Sequence, residues 1–530
     1  MRKLPLGVQN FRKIVEGDYV YVDKTNYVYD IINKASYYFL SRPRRFGKSL
    51  LLDTIAEAFS GDKELFKGLY IYDTDYSFER HPVIRLDMSN IVNESPHDLK
   101  KALADVLEKI IKREGFDIKS SLPSDLFKNL IMELHEKYGK RVVVLIDEYD
   151  KPMLDQLKNI EIAEANRDVL RDFYGILKSM DPHLQLTFLT GVTKFTKTSV
   201  FSGLNNFLDI TLMEDYANIC GIEVDALDRY FSEHIDDLAT QNDFKSSSNL
   251  RDEILIWYDG YSWDGETKLI NPFSLLSLFM KKRIYSFWYA SGTPSFLIKL
   301  LKEKPSSYLS LSNLRMSERS LDSVDIRKMS AAPLLFQTGY LTVESVSYNP
   351  PPAAYNLCMP NLEVIEAFNL NLIAEFTEND QDFTESSYWE IKQSLQSGNL
   401  EVMLSILKSL FASIPHQLHV NREAYYHSIF YAIMTILGFD IDAEISVSGG
   451  RIDAALELDS SVYVMEFKYL DCSSEANAEV KRNMIDKALD DGMAQIANKG
   501  YANKLKNSNK AERIAVLVFT GRDEIEMRIN

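Results

Sequence analysis

The sequence predicts an α/β protein in which a mostly helical connector joins two separate α/β domains. Three observations support this prediction. In residues 1–217, short β-branched and aromatic runs alternate with longer amphipathic runs, a pattern typical of a parallel sheet covered by helices. Residues 218–395 have a mostly helical and irregular pattern, and residues 396–530 return to a mixed one. We therefore expect domain boundaries near residues 217 and 395.

Length and charge narrow the possible functions. The chain has 530 residues, of which 45% are hydrophobic, and a formal net charge of −17. This apolar content is sufficient for packed cores and argues against a disordered chain. The negative charge argues against a protein that coats nucleic acid through a global positive field. A nucleic-acid partner would instead be met at a local site, where a metal ion would help to screen the charges.

Cysteine usage and hydropathy indicate a cytoplasmic protein. Cys220, Cys358 and Cys472 are far apart and do not have the Cys/His spacing of a zinc site. The first residues lack the apolar segment of a signal peptide, and no run of about 18 apolar residues could span a membrane. We therefore expect reduced thiols, a cytoplasmic location and no membrane partner.

The alternating pattern of the first block predicts individual strands and helices. Five apolar runs are predicted to be strands: Ser36–Leu40, Val83–Asp87, Val142–Ile146, Gln185–Leu189 and Asn206–Thr211. The clearest helices between them are Lys48–Phe59, His97–Arg113 and Asp168–Met180. In an open parallel sheet of this kind, ligands bind beyond the carboxyl ends of the strands.

A phosphate-binding loop is predicted between the first strand and the following helix, at Ser41-Arg-Pro-Arg-Arg-Phe-Gly47-Lys48-Ser49. Backbone N–H groups in such a loop point at phosphate oxygens, and Gly47 lets the backbone approach closely. We expect Lys48 to contact the β- and γ-phosphates of ATP and Ser49 to hold Mg²⁺. By itself the triplet is weak evidence, because many Gly-Lys-Ser sequences simply begin a helix. Moreover, Arg42 stands where the consensus has its first glycine.

An acidic strand end supports the prediction of a nucleotide site. The apolar run Val142–Ile146 is followed by Asp147 and Glu148, which places paired carboxylates at the end of a buried strand. We expect Asp147 to hold Mg²⁺ through water and Glu148 to polarise the attacking water. Thr190, at the end of the neighbouring strand, is a candidate for sensing the γ-phosphate. The ordinary alternative is a strand that ends in solvated acids.

The last block predicts two strands side by side. Arg451–Leu458 and Val462–Lys468 are predicted to form a hairpin about Ser460, in which the numbers of paired residues sum to about 920. Asp453 would then lie opposite Phe467. The other predicted elements of this block are the helix Glu423–Leu437, the strand Asp440–Val447, the helix Met484–Ala497 and the strand Arg513–Phe519.

Three charged groups are predicted to converge on this hairpin. Glu466 and Lys468 are two residues apart and point to one face, and Asp453 lies beside them. Two carboxylates can hold a hard divalent cation, for which Mg²⁺ is expected and Mn²⁺ is a substitute. Such a metal activates water and stabilises charge on a scissile phosphate, and Lys468 would position that water. Glu423, on the preceding helix, is a candidate for completing the coordination.

The apolar residues around Glu466 favour this functional interpretation. An isolated Glu-x-Lys pair is weak evidence, because charges at strand ends are usually solvated. Here the same strand also carries Val462, Val464 and Phe467, which predicts burial on both faces. A charged pair inside such a strand costs free energy unless it is paired or binds a metal.

The N-terminal motifs resemble those of the bacterial AAA-ATPase-like family. The loop in which Arg44, Arg45 and Phe46 precede Gly-Lys-Ser is similar to its variant Walker A motif, which often lacks the first glycine. Four further segments are similar: Gly7–Thr25, Asp147–Pro152, Leu189–Phe195 and Tyr258–Tyr261. The resemblance covers roughly residues 4–300. It implies a P-loop NTPase sheet of the additional-strand, catalytic-Glu type, with the loop residues Arg44–Ser49 around bound ATP.

The C-terminal block resembles the PD-(D/E)xK nuclease domain found behind this ATPase in many bacterial proteins. The similarity covers roughly residues 398–520 and rests mainly on Gly450–Asp453 and Glu466–Lys468. It implies an α/β restriction-endonuclease-like domain whose catalytic core is the same Asp, Glu and Lys. Glu423 and Gln495 are implied as accessory residues.

Together, these features predict a protein that binds and hydrolyses ATP and couples this to a metal-dependent phosphodiesterase acting on nucleic acid, with DNA favoured over RNA. Family analogy points to defence or mobile-element biology. It also allows a homo-oligomer in which a neighbour's arginine completes the ATP site. Two alternatives stay open: an ATP-dependent switch whose C-terminal domain binds nucleic acid or protein without cleavage, and a nuclease whose ATP-binding domain barely hydrolyses.

Overall fold

The chain forms two compact units, Met1–Phe296 with Asn313–Glu363, and Leu297–Ser312 with Val364–Asn530. A division into three domains at residues 217 and 395 stays a prediction. The computed structural model describes residues 1–195, 206–241, 246–288, 314–321, 331–349, 351–377, 381–413, 430, 440–447, 450–457, 461–470, 478–499, 511–520 and 524–529.

The first unit contains a five-stranded parallel sheet. Its strands are β1 (Tyr37–Ser41), β2 (Val83–Asp87), β3 (Val142–Asp147), β4 (Leu184–Gly191) and β5 (Leu208–Asp209). They lie in the order β2-β3-β4-β1-β5, and each neighbouring pair is parallel. β4 therefore separates β1, which leads into the Gly-Lys-Ser loop, from β3, which ends in the paired acids. The predicted sheet of the additional-strand type is confirmed.

Edge position explains why β5 is shorter than the predicted strand Asn206–Thr211. Only Leu208 and Asp209 pair with β1. The Asp209 side chain then accepts a hydrogen bond from the Thr211 backbone N–H at 2.9 Å, which turns the chain out of the ladder. By contrast, the central strand β3 matches its prediction to within one residue, because Val142–Ile146 are at most 1% exposed and form one continuous apolar run.

Helices alternate with these strands along the chain: α1 (Phe11–Glu16), α2 (Thr25–Lys34), α3 (Lys48–Ala58), α4 (Pro96–Glu114), α5 (Pro123–Tyr138), α6 (Lys151–Leu154) and α7 (Ile160–Ser179). Ordinary capping signals mark their ends. Ser95 accepts a hydrogen bond from the Asp98 N–H at the start of α4, and Gly115 ends α4 with a φ of +79°. The predicted helices are confirmed, although α7 begins earlier than predicted because Asn159 caps it by accepting from the Ile162 N–H.

The remainder of the first unit combines helices with short antiparallel strands. Its helices are α8 (Val224–Gln241), α9 (Ser247–Tyr258), α10 (Pro272–Lys281), α11 (Glu318–Leu321) and α12 (Ala331–Thr338). β6 (Ile222–Glu223) pairs with β7 (Leu269–Ile270), while β8 (Leu314–Ser317), β9 (Thr342–Ser347) and β10 (Ala354–Cys358) form a sheet in the order β8-β10-β9. The mostly helical prediction missed these strands, because runs this short give little periodic signal.

The second unit is a mixed sheet with helices on both faces. Its strands are β11 (Asp440–Val447), β12 (Gly450–Glu457), β13 (Ser461–Tyr469), β14 (Ala511–Phe519) and β15 (Ile525–Ile529), paired in that order. β13 and β14 are parallel, and the other neighbouring pairs are antiparallel. The helices are α13 (Leu362–Thr377, which begins in the first unit), α14 (Gln381–Ser397), α15 (Leu400–Ser413) and α16 (Ala478–Lys499). Except for Phe430, the predicted helix Glu423–Leu437 lies outside the described residues.

Both faces of β13 are covered, as predicted. On one face Met465 and Phe467 belong to a core that includes Met403 of α15. On the other face Val464 packs in a separate core with Leu489 of α16. Alternate residues of β13 therefore face different helical layers. In the part of the chain that the structure describes, no helix is long and apolar enough to cross a membrane.

Gly260 allows two segments of the first unit to approach closely. Its φ is +110°, and an added Cβ would overlap the carbonyl oxygen of Pro360. We expect Gly260→Ala to lower the free energy of unfolding by at least about 2 kcal/mol, because both the backbone conformation and the overlap oppose a side chain. Denaturant unfolding measures this change.

Gly175→Ala is the matched control for that experiment. Gly175 lies inside α7, and an added Cβ would meet nothing within 4 Å. Alanine at this position should raise the free energy of unfolding by roughly 0.5–1 kcal/mol through its higher helix propensity. Equal stabilities of the two variants would contradict the close approach at Gly260.

Candidate functional site

The loop after β1 has the geometry expected of a phosphate-binding loop. Gly47 has a φ of +102° and directly precedes Lys48, the first residue of α3. An added Cβ at Gly47 would meet nothing within 4 Å, so the space at the N-terminus of α3 is open. The first N–H groups of a helix have no partner inside the helix and attract anions. Ser49 lies in this first turn and is half-buried. The loop, Lys48 and Ser49 thus fit a nucleotide phosphate with its Mg²⁺.

The Lys48 ammonium is held over the loop. Its side chain is 5% exposed, and Nζ donates hydrogen bonds to the carbonyl oxygens of Arg42 and Pro43, both at 2.9 Å. Burial lowers the pKa of Lys48, whereas the nearby Asp147 and Glu148 act in the opposite direction. The ammonium is therefore close to both the loop and the acidic strand end. Phosphate oxygens could replace its two carbonyl acceptors.

Phe46 anchors the loop from behind. It is fully buried, and its ring packs edge-on against Tyr261 and Trp263, with centroids 5.1 Å apart in each pair. Its carbonyl oxygen accepts a hydrogen bond from the Gly221 N–H at 3.2 Å. Phe46 was predicted among the cofactor-binding residues, and the structure places its ring in the protein core. Phe46 fixes the loop backbone and also lines a cavity beside Gly47, and its contact with a cofactor stays a prediction.

Arg44 and Arg45 lie on the loop between β1 and α3. The Arg44 carbonyl accepts a hydrogen bond from Trp288 Nε1 at 3.0 Å. The exposed Arg45 has a φ of +63°, and its guanidinium stacks 4.2 Å from the ring centroid of Phe273. The Arg44 charge acts on Glu148, whose pKa it lowers in part. These contacts bring Arg44 near the acidic strand end and tie Arg45 to the start of α10.

Asp147 and Thr190 meet across two neighbouring strands, as the parallel order predicts. Thr190 Oγ1 donates a hydrogen bond to Asp147 Oδ1 at 2.6 Å, and the Glu148 N–H donates to the same oxygen at 3.0 Å. These two bonds orient the Asp147 carboxylate at the end of β3. Asp147 can thus bind Mg²⁺ at this edge of the sheet, on the side to which Lys48 belongs. Thr190 acts on Asp147, and contact with a γ-phosphate stays a prediction.

Glu148 is held in an unusual environment directly after β3. Its φ is +51°, a left-handed conformation that a residue with a side chain rarely adopts. Burial raises the pKa of Glu148, and Lys48 and Arg44 offset part of that rise. A carboxyl group whose pKa is raised is a stronger base once it is ionised, as a residue that polarises water requires.

Asp150 is a residue whose part in the site was not predicted. It is fully buried, and its carboxylate accepts hydrogen bonds from the Val192 N–H at 3.1 Å, the Thr193 N–H at 2.6 Å and Thr193 Oγ1 at 2.7 Å. Burial raises the pKa of Asp150, and these bonds oppose the rise. Asp150 thus holds the loop after β4 against the loop after β3. In the sequence it cannot be told apart from its acidic neighbours.

A small apolar cavity of about 100 Å³ adjoins Gly47. Its walls include Tyr21 from the N-terminal segment, Phe46 from the loop, and Ile219 and Cys220 from the segment before β6. An apolar cleft beside a phosphate-binding loop fits the planar, weakly polar base of a nucleotide. No local motif predicted this cavity, because its walls come from segments far apart in the sequence.

The predicted carboxylates of the second unit lie on one face of the sheet. β12 and β13 pair antiparallel with Ala454 opposite Met465, so the next position sets Asp453 beside Glu466. The predicted pairing of Asp453 with Phe467 was wrong by one residue, because the hairpin is centred slightly earlier than the turn residues suggested. Directly opposite residues of antiparallel strands share a face. The corrected register therefore supports the convergence of the two acids.

Lys468 completes this group of charges. Its Nζ lies 3.1 Å from Glu466 Oε1 and 2.9 Å from Gln495 Oε1 of α16. Asp453 Oδ2 accepts a hydrogen bond from the Phe467 N–H at 2.8 Å. Glu466 is only 1% exposed, and the ammonium compensates its buried charge. The structure thus brings together Asp453, Glu466, Lys468 and Gln495.

The donor atoms at this site suit a hard divalent cation. Asp453 and Glu466 supply carboxylate oxygens, which Mg²⁺ and Mn²⁺ prefer. Within the described ranges, no group of three or more His, Cys, Asp or Glu side chains could hold a metal. This part of the chain could therefore offer a metal the two carboxylates of Asp453 and Glu466, and water or substrate oxygens would fill the other positions. Glu423 lies outside the described residues.

Two family models match this chain. The model of a predicted AAA-ATPase matches residues 5–201, and that of the PD-(D/E)XK nuclease superfamily matches residues 421–528. Strands β1–β4 of the parallel sheet and the phosphate loop lie within the first match, and the mixed sheet that carries Asp453, Glu466 and Lys468 belongs to the second. The fold and the sites thus define an α/β protein with an AAA-ATPase-like domain and a C-terminal PD-(D/E)XK nuclease superfamily domain.

A relative matches almost the whole chain. It is described as an uncharacterized protein in the vnfD 5′ region of Azotobacter chroococcum mcd 1, and it is 37% identical over 512 residues. The match covers 95% of this chain and 94% of the relative. The chain therefore belongs to this family of AAA-ATPase-like proteins.

Among solved structures, the ORC2 protein of Aeropyrum pernix, determined as ADPNP–ADP complexes, also matches. The match covers 66% of this chain and 93% of the ORC2 chain, with 11% sequence identity and a TM-score of 0.26. Nothing about this protein is inferred from a similarity that weak.

Thr190→Val tests the orientation of Asp147. The substitution removes the hydrogen bond to a carboxylate that would hold the metal, and ATP hydrolysis should fall about tenfold. Thr187→Val is the matched control, because Thr187 is also buried in β4 and its hydroxyl has no hydrogen-bond partner among the described residues. That variant should keep the wild-type rate in a phosphate-release assay. Equal rates for both variants would argue against the orienting bond.

The raised pKa of Glu148 predicts the pH dependence of ATP hydrolysis. Glu148 must be ionised to polarise water, so a raised pKa means that the rate falls on acidification at a higher pH than an ordinary glutamate would produce. Glu148→Gln should still bind ATP while kcat drops at least about 100-fold. Measuring kcat against pH tests this, with the exposed Glu161→Gln as control. An acid limb at the pKa of an ordinary glutamate would contradict the assignment.

Proposed function

We propose that this protein binds and hydrolyses ATP in its N-terminal domain and cleaves nucleic acid in its C-terminal domain with the help of a divalent metal. The proposal rests above all on the meeting of Asp453, Glu466 and Lys468 on one face of β12 and β13. Two carboxylates and an ammonium on one small patch are the groups that metal-dependent phosphodiester hydrolysis requires. The ATP half rests on the phosphate loop beside Asp147.

In the ATP site, each residue has a distinct task. Lys48 exchanges its loop carbonyls for the β- and γ-phosphate oxygens, and Ser49 and Asp147 hold Mg²⁺. Glu148 accepts a proton from the attacking water. A bound Mg²⁺ would neutralise part of the negative charge of the phosphates. The cavity beside Gly47 takes the adenine ring.

In the nuclease site, the chain itself holds and orients the reacting groups. Asp453 and Glu466 bind the metal, and Gln495 keeps the Lys468 ammonium next to them. Lys468 positions a water molecule and offsets the charge of the scissile phosphate. A bound Mg²⁺ or Mn²⁺ supplies a lower pKa for coordinated water and stabilises the charge that develops on the phosphate.

Nucleic acid is the proposed polymer, with DNA favoured, and ATP binding or hydrolysis is proposed to license its cleavage. Because the net charge is −17, the proposed point of contact is a local site at which a metal screens the charges. The proposed location is the cytoplasm, on the grounds of cysteine usage and hydropathy. Family analogy points to a role in defence or mobile-element biology and allows a homo-oligomer.

A second candidate function is an ATP-dependent switch whose C-terminal domain binds nucleic acid without cutting it. The ion pair between Lys468 and Glu466 favours this candidate. It balances the buried Glu466 carboxylate without a metal. In a nuclease, the metal would have to compete with the Lys468 ammonium for the Glu466 carboxylate.

Digestion of single- and double-stranded DNA and RNA tests the two candidates. With Mg²⁺ or Mn²⁺, wild-type protein should cut at least one of these polymers. Asp453→Ala and Lys468→Ala should lower the rate at least about 100-fold, because several kcal/mol of charge stabilisation are lost. Asp491→Ala and Lys487→Ala, exposed positions of α16, serve as matched controls and should cleave normally.

The outcomes separate the candidates. Cleavage that survives both Asp453→Ala and Lys468→Ala would come from another site and contradict the proposal. Nucleic-acid binding without cleavage by the wild type would support the switch. Repeating the digestion with and without ATP, and with Lys48→Ala, tests the coupling. The Lys48 variant should neither bind ATP nor respond to it.

A further inference from the structure

Arg42 occupies the position of the first glycine in the Walker consensus, and its side chain is fully buried. Among the described residues, the acceptors of its guanidinium are backbone carbonyl oxygens, and Nε has no hydrogen-bond partner there. Nη1 donates to Ser41 and Thr211, both at 2.9 Å, and Nη2 donates to Tyr216 at 3.1 Å and Ala217 at 3.4 Å. The side chain thus bridges the end of β1 and the segment 211–217.

An aromatic ring and the more distant carboxylates of Asp209 and Asp264 also favour the charged form of the guanidinium. Its carbon lies 4.0 Å from the ring centroid of Trp263, in a cation–π arrangement. Burial lowers the pKa of Arg42 to about 10, so the group stays charged at neutral pH. The planar guanidinium fork carries five N–H donors on three nitrogens and can reach carbonyls of separate segments at once, whereas the three donors of a lysine ammonium lie on one atom.

The backbone of Arg42 belongs to the candidate phosphate site. Its carbonyl oxygen accepts the hydrogen bond from Lys48 Nζ at 2.9 Å. Its N–H donates to the carbonyl oxygen of Gly191, at the end of β4, at 3.2 Å. Arg42 therefore contacts the phosphate-binding lysine through its main chain and a distant segment through its side chain.

That distant segment leads directly into the wall of the apolar cavity. Ile219, Cys220 and Gly221 follow the residues that Arg42 holds, and all three line the cavity beside Gly47. The Gly221 N–H also donates to the Phe46 carbonyl oxygen at 3.2 Å. The segment is thus attached to the loop at two points: at the start of the loop through the Arg42 side chain, and near its end through the Phe46 carbonyl oxygen.

We propose that Arg42 is a positioning residue: its side chain acts as a tether that fixes the phosphate loop relative to the wall of the apolar cavity beside Gly47. This inference rests on the proposed binding of ATP at the site. A nucleotide that contacts both parts gains affinity when their separation is set in advance. Arg42 therefore raises the affinity for a whole nucleotide more than the affinity for its phosphates alone.

Arg42→Gly is the sharpest test, because it restores the Walker consensus G-x-x-x-x-G-K-S. If the missing glycine were a defect, the variant would bind ATP better than the wild type. The tether predicts the opposite: ATP affinity falls at least about tenfold, since hydrogen bonds from a charged donor are lost. Affinity for inorganic tripolyphosphate, measured by calorimetry in the same full-length proteins, should change much less.

Arg42→Lys supports the test in case the glycine variant does not fold. Lysine keeps the charge and most of the side-chain stem but lacks the guanidinium fork. We therefore expect a smaller loss of ATP affinity, and again a much smaller change in the affinity for tripolyphosphate. Arg113→Lys is the matched control, because the Arg113 side chain is 68% exposed at the end of α4. That substitution should leave both affinities unchanged.

The results distinguish the tether from the proposed function. Wild-type ATP affinity in both Arg42 variants, or an equal loss for ATP and tripolyphosphate, would overturn the tether while leaving ATP binding in place. A wild-type protein that binds neither ligand would overturn the proposed ATP site and the tether with it.

Discussion

Charged groups buried beside strand ends must find partners within the protein, and this constraint shapes both candidate sites. The Arg42 guanidinium is bound by four carbonyl oxygens, and the Lys48 ammonium by two. Asp150 takes its partners from the loop after β4. In the second unit, the buried Glu466 is paired with Lys468. Without such partners, each of these groups would destabilise the fold by several kcal/mol.

The nature of the partners separates groups that fix shape from groups that can bind a ligand. Arg42 and Asp150 each bridge two chain segments through several hydrogen bonds, so a ligand could not replace their partners without moving the backbone. Lys48 lies at an open helix N-terminus, with loop carbonyls that phosphate oxygens can substitute. The same physical requirement therefore produces a rigid frame and, inside it, an ammonium that can change partners.

Sequence predicted the parts of this architecture that depend on local patterns. β2 and β11 match their predicted bounds, and β3 does so to within one residue, because long apolar or alternating runs specify a strand. The walls of the apolar cavity beside Gly47 could not be predicted as a set, because Tyr21 and Cys220 meet only through the fold. The positioning role of Arg42 could not be predicted either. Its hydrogen-bond acceptors are backbone carbonyl oxygens, which every residue type has, so the sequence does not show which residues accept. Short strands such as β6 contain too few residues to show a period.

The register of β12 and β13 shows how one residue decides chemistry. Side chains alternate between the two faces of a strand, so a slip of one position moves each of them to the other face. A side chain directly opposite Phe467 would face the core that includes Met403 of α15, where an unpaired carboxylate is costly. The observed pairing sets Asp453 beside Glu466, on the side covered by α16. Only in this register can the two acids share a metal, so the hydrophobic layer on the opposite face also protects the geometry of the site.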